Sequence, residues 1–260
     1  MEKLKVGLQL YGLRDAISED MESAFKRIKE MGYDYVEFAS CTFEGKSTDE
    51  IKALLNKHSL KIVSAHMNPY MVLEKKEETL EMLKKLGIKY AVIPSLAPDN
   101  LIDKWDAFTS DFGKIGRILG ENEIQFLFHN HDKELRMKVD GTTVLDKLYE
   151  AVSLDFLKPQ IDTCWVHYAR YEPVEYIKKY SGKVDVVHIK DYTVNSDENG
   201  KQCIHFCPIG YGIMDWNGIL DACKENGTKY VIVEQDLSYE EDPFECAKKS
   251  RKYLKENFGI

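Results

Sequence analysis

The chain has 260 residues, 43% hydrophobic and 31% charged, with a formal net charge of −8. Length and apolar content fit one domain with a sizeable core. The acidic balance argues against nucleic acid or an anionic membrane surface as partner.

No apolar run approaches the ~20 residues that span a bilayer. The first residues, Met1-Glu2-Lys3-Leu4-Lys5-Val6, lead directly into a strand and show no leader-like apolar stretch, so the cytoplasm is the expected location. Six cysteines lie scattered rather than framed for disulfides. Cys203-x3-Cys207 has no second pair to complete a zinc tetrahedron.

Short apolar runs alternate with longer amphipathic ones. Eight strands are read at Lys5–Tyr11, Tyr35–Ser40, Lys61–Met67, Tyr90–Leu96, Gln125–His131, Gln160–Val166, Val184–Asp191 and Lys229–Asp236. Their near-continuous apolar character is that of strands buried on both faces. Helical stripes lie between them, such as Met21/Ala24/Phe25/Ile28/Met31 before Gly32 and Leu80/Leu83/Leu86 before Gly87. Ser18, Ser47 or Thr48, and Asp215 are expected helix N-caps, and glycine just past the last apolar turn is a stop signal. Strand and helix repeated eight times in this length predict a closed (β/α)8 TIM barrel, one domain over 1–260. A doubly wound sheet would carry a glycine-rich phosphate turn after the first strand, where Leu10-Tyr11-Gly12-Leu13-Arg14 stands instead. Tyr192–Met214 reads as a long irregular loop that either folds over the mouth or is a surface excursion.

Polar residues gather at the C-terminal strand ends, where such barrels carry their sites. They are His66, His129-Asn130-His131-Asp132-Lys133-Glu134, Asp162-Thr163, His188-Ile189-Lys190-Asp191 and Glu234-Gln235-Asp236. Carboxylates and imidazoles at the ends of apolar strands need partners, and a cation is the simplest one. Oxygen-rich ligation with one imidazole suits Mn²⁺, Mg²⁺ or Co²⁺, with Zn²⁺ also possible. His129 reads as a buried, hydrogen-bonded support.

In order along the chain, Gly7-Leu8-Gln9-Leu10-Tyr11, Gly32-Tyr33-x-x-Val36-Glu37-Phe38-Ala39, His129-Asn130-His131-Asp132-x-Glu134, Asp162-Thr163-x-Trp165-Val166, His188-Ile189-Lys190-Asp191, Asp215-Trp216 and Val233-Glu234-Gln235-Asp236 resemble the xylose-isomerase-like barrels of the sugar phosphate isomerase/epimerase kind. The resemblance covers nearly the whole chain. It implies one divalent ion held by Glu134, Asp162, His188 and Glu234, with His131 an alternative to Glu134 as strand-five ligand or a base.

The resemblance further implies Glu134 and Glu234 as ligands that double as bases, with His131 and Lys190 as further catalytic groups and His66 as a substrate contact. Trp165 offers an aromatic face to a sugar ring, and Glu37 is expected near the pocket floor, as a substrate contact or in a salt bridge inside the mouth. Trp165 stands where epimerase-type relatives have a histidine. Gly210-Tyr211-Gly212 stands where Gly-Glu-Gly is usual. The implied activity is isomerisation or epimerisation of a sugar or cyclitol through a metal-stabilised enediolate, with elimination from a keto-sugar, keto-glycoside or inosose as the alternative. A nuclease and a non-catalytic sugar-binding protein are weaker readings. The expected partner is a small carbohydrate, and a homo-oligomer stays open.

Overall fold

The computed structural model describes residues 3–95, 104–196, 200, 202–239 and 241–260. Eight parallel strands close in sequential order: β1 (Lys5–Gln9), β2 (Tyr35–Phe38), β3 (Lys61–His66), β4 (Tyr90–Ile93), β5 (Gln125–His129), β6 (Lys158–Asp162), β7 (Val186–Ile189) and β8 (Tyr230–Val233), with β8 pairing back to β1. This is the expected TIM barrel. Helices ring it on the outside and bury one apolar face each, as Arg14–Glu30 does with Ile17, Met21, Ala24, Phe25 and Ile28. No helix among the described residues is long and apolar enough to cross a membrane.

Inside the barrel, Val63, Tyr90, Val92, Leu127, Val186, Tyr230 and Ile232 form an apolar cluster. Gly7 makes room for it, because a Cβ there would meet Ile232 Cδ1 at 2.6 Å. The pairing of β2 with β3 shifts register between Val36 and Glu37, so that Glu37 lies beside Ser64. Side chains alternate along a strand. The next inward-facing positions after this apolar layer are therefore the polar ones at the C-terminal ends.

Every strand stops short of its expected C-terminal limit. The largest departure follows β6, where Thr163–Tyr168 is a helix rather than strand. Asp162 causes it by accepting the Trp165 backbone N–H at 2.9 Å, an N-cap that outweighs the strand preference of Thr163, Trp165 and Val166. Leu96, expected in strand four, lies outside the described residues.

Ser47 and Asp215 do cap their helices, but Ser18 does not. The helical stretch Arg14–Glu30 is broken at Asp20, whose backbone is extended and whose Oδ1 accepts the Ser23 backbone N–H at 3.0 Å, so the helix that carries Met21 to Ile28 is capped by Asp20. Tyr192–Met214 is not irregular throughout. Asp191–Ser196 and Gln202–Cys207 pair antiparallel, from Asp191↔Cys207 to Ser196↔Gln202. Asp191 ties the loop after this hairpin to the barrel: it accepts from Gly210 N at 2.9 Å, Met214 N at 3.3 Å and Trp216 Nε1 at 2.8 Å. All six cysteines are free.

Candidate active site

Glu37 lies at the centre of the polar layer and is fully buried. Its Oε1 accepts from Gln9 Nε2 at 2.7 Å and His188 Nε2 at 2.5 Å. Its Oε2 accepts from Ser64 Oγ at 2.5 Å and Gln160 Nε2 at 2.6 Å. Burial opposes its ionisation, but His188 and His66 beside it hold the carboxyl well below the usual range. Glu37 therefore sits beneath the histidines and faces no open space. Of the two roles expected for Glu37, the structure shows the ion pair at the floor and no face open to a substrate.

His188 bridges two acids. Its Nε2 meets Glu37, and its Nδ1 lies 2.8 Å from Glu234 Oε2. Burial works against its proton, but the two carboxylates raise its pKa to about 10. Lys190, one strand repeat further along, points to the same side. Its Nζ is 3.3 Å from Asp162 Oδ2, 3.0 Å from Glu234 Oε2 and 3.1 Å from each Asp236 oxygen. Those acids outweigh burial and hold the ammonium charged. Burial raises Asp236 to about 6 against the pull of Lys190.

Strand five departs from expectation. Glu134 is buried, but its carboxylate turns back to accept the His131 backbone N–H at 2.9 Å. It belongs to the cap of the short helix Asp132–Arg136. Among the described residues it joins no cluster of ligand atoms, and neither does His131. The residue that does is His129. One donor atom each from His129, Asp162, His188 and Glu234 lies within 4.8 Å of the others, all four buried, and His66, His129 and His188 form a second such group. Parity within β5 could have found it, because residues 125, 127 and 129 share a face and Leu127 lies in the interior cluster.

The quartet fits a divalent ion. Asp162 Oδ2 is buried and accepts no hydrogen bond. Its nearest charge is the Lys190 ammonium, which stands in as a cation between Asp162 and Glu234. Two imidazoles and two carboxylates make a borderline donor set.

A cavity of about 560 Å³ opens above these groups, with His66, His129, Lys190, Glu234 and Asp236 at its base. His131 lines it too, with an unpartnered Nδ1. Burial and Lys190 lower the His131 pKa to about 3, so its imidazole is neutral at pH 7. Trp165 stacks near His131, ring centroids 5.4 Å apart, and its buried Nε1 has no partner. The hairpin reaches the site through Phe206, whose ring lies 5.8 Å from Lys190 Nζ. The structure thus brings together Asp162, His188, Glu234, Lys190, Glu37 and His66, places His131 and Trp165 at the wall, and leaves Glu134 in a cap.

The sequence profile of the xylose isomerase-like TIM barrel family matches residues 25–257. A curated relative, an inosose dehydratase of Clostridium beijerinckii, is 24% identical across 100% of this chain and 99% of its own. A sugar phosphate isomerase/epimerase structure from Parabacteroides distasonis superposes with a TM-score of 0.77 at 22% identity, covering 99% and 96% of the two chains. The structure of the IolI protein with a bound zinc atom gives a TM-score of 0.70 at 16% identity, covering 97% of each. At these identities the structural likenesses carry the fold.

Proposed function

From a chain that belongs to the xylose isomerase-like TIM barrel family, we propose a metal-dependent enzyme that abstracts a proton beside the carbonyl of a keto-cyclitol or keto-sugar and eliminates water. The observation that carries this is the buried quartet His129, Asp162, His188 and Glu234 beneath an open cavity. A divalent ion held there supplies Lewis-acid polarisation of the carbonyl and stabilises the charge that develops on proton removal. His131, with an unpartnered Nδ1 at the cavity wall, is the group positioned to accept the C–H proton, against the burial and the Lys190 charge that hold its basicity low in the free protein. Asp236, its pKa near 6 and its carboxyl on the cavity, donates a proton to the departing hydroxyl, which leaves as water. Lys190 orients the substrate oxygens.

Elimination is favoured over epimerisation by Glu134. A two-base epimerase needs opposed bases on both faces of one carbon, and the strand-five glutamate expected in that role is engaged as a cap. The full-length likeness to inosose dehydratases supports the same choice. Isomerisation is the second reading, since the same proton abstraction beside a carbonyl serves it.

Purified protein loaded in turn with Zn²⁺, Co²⁺, Mn²⁺ and Mg²⁺ and offered inososes, ketoses and keto-glycosides is expected to give a product lighter by one water in mass spectrometry. A product of unchanged mass selects isomerisation. No turnover with any ion defeats both readings.

Metal uptake is also expected to depend on pH with a definite sign. In the metal-free protein His188 keeps its proton up to about pH 10. It must give one up to become a ligand, so about one proton is released per ion bound near pH 7. Apparent affinity then rises about tenfold per pH unit until pH approaches 10. Calorimetry in two buffers of different ionisation heat measures the release, and equal heats would contradict it.

A further inference from the structure

We propose that Glu37 and Gln160 form a hydrogen-bonded floor that fixes opposite tautomers of the two ligating histidines, so that His129 offers Nε2 and His188 offers Nδ1 to the same ion. The proposal rests on the metal reading above and adds which atoms bind and what aims them.

The amide of Gln160 sets the pattern. Its Nε2 lies 2.6 Å from Glu37 Oε2, so it donates there. The reverse orientation would press two acceptor oxygens together. Oε1 of Gln160 then faces His66 Nε2 at 2.8 Å and His129 Nδ1 at 3.1 Å. A carbonyl oxygen only accepts, so both ring nitrogens carry hydrogen. With Nδ1 of His129 protonated, Nε2 keeps the lone pair. That atom lies 3.7 Å from Asp162 Oδ2, the buried oxygen that accepts no hydrogen bond.

Glu37 does the same for His188 through the other nitrogen. Its carboxylate takes hydrogens from Gln9, Ser64, Gln160 and His188 Nε2. Gln9 is itself oriented, since its Oε1 accepts the Tyr11 backbone N–H at 3.1 Å. The His188 hydrogen on the Glu37 side is therefore fixed, and Nδ1, facing Glu234, is the end that becomes a ligand. The two rings lie nearly perpendicular at 71°, centroids 4.6 Å apart, and turn different edges toward one point. Outer partners that fix ring orientation in this way are a known determinant of metal affinity. The floor also accounts for two uncharacteristic residues, a carboxylate and an amide with no exposed surface, directly above an apolar barrel core.

Zinc is diamagnetic, so long-range ¹H–¹⁵N correlation on zinc-loaded protein with ¹⁵N-histidine reads the tautomers directly. The expected result is zinc on Nε2 of His129 and on Nδ1 of His188. In parallel, Glu37→Gln and Gln160→Met are each expected to weaken zinc binding about 10–100-fold in a chelator competition. Gln160→Met should also lose the fixed His129 tautomer, a change that general loosening of the fold would not confine to one ring. Zinc bound through the same nitrogen of both rings overturns the floor alone, and that wild-type measurement decides even where a variant fails to fold. Variants with wild-type affinity and an unchanged tautomer pattern overturn it as well. A wild-type protein that takes up no zinc overturns the metal reading and the floor together.

Discussion

Metal-free Lys190→Met protein is expected to unfold with about 3–5 kcal/mol less free energy than wild type at pH 8, and zinc is expected to restore much of the difference. Lys190 is almost fully buried, and its ammonium is the cation shared by Asp162, Glu234 and Asp236. Methionine fills a similar volume but leaves those acids facing one another at low dielectric. Removing one partner of a buried charge group costs far more than the intact group contributes. The cost has a direction in pH. Glu234 is held well below its usual range, against burial, by Lys190 and then His188. A depressed folded pKa contributes stability above the unfolded value and loses it as pH falls through the folded value. The mutant lacks that contribution, and its acids accept protons readily. The deficit should therefore shrink toward pH 4 and widen as pH rises through the Asp236 pKa near 6. Urea titrations with chelator at pH 5 and pH 8, repeated with zinc, measure all three effects. Equal midpoints for mutant and wild type at pH 8 would show that Lys190 is not the counter-charge of the site.

The same cluster shows how far a sequence carries such a site. The barrel was legible because strands buried on both faces are continuous apolar runs, and seven of the eight lie within the run expected for them, while β6, Lys158–Asp162, overlaps its expected range only at Gln160–Asp162. Their C-terminal ends were read too long because polar residues of the mouth still follow the alternation after pairing has ended. After β6 the deciding interaction is one hydrogen bond, Asp162 to Trp165 N, and a residue read as metal ligand is also a helix cap.

The hairpin Asp191–Ser196 with Gln202–Cys207 was missed for a different reason. Its outer half is exposed, so there is no apolar face to mark it. At strand five the sequence carries both signals. His131-x-x-Glu134 has the spacing of a capping pair, and strand parity puts His129 on the inward face. Glu37 could be placed near the floor from sequence, but its partners come from β1, β3, β6 and β7, and only closure of the barrel assembles them.

Because the quartet is built from single side chains on separate strands, each ligand should be individually necessary, and the outcome separates a metal site from a merely structural ion-pair cluster. His188→Ala is expected to reduce zinc from about one per chain to a trace after gel filtration, and to abolish turnover to within background. It also strands two buried acids, Glu37 and Glu234, so a loss of stability accompanies it. Glu234→Gln isolates the metal effect. The amide keeps the size of the carboxylate, and its oxygen still accepts from His188 Nδ1 and Lys190. What it removes is one negative charge and one anionic ligand. Zinc affinity is expected to fall at least a hundredfold, beyond the ~10–100-fold typical of outer partners, with thermal stability much nearer wild type than in His188→Ala. A structural cluster predicts the reverse order, with stability falling in both variants and metal content unchanged. His205→Ala serves as the control. That ring stacks on Tyr239 at 3.7 Å and belongs to neither group of ligand atoms, so zinc content should be untouched. Wild-type zinc content in Glu234→Gln would mean that the acid of β8 only balances Lys190 and His188, and the ligand assignment would have to move to the three-histidine group.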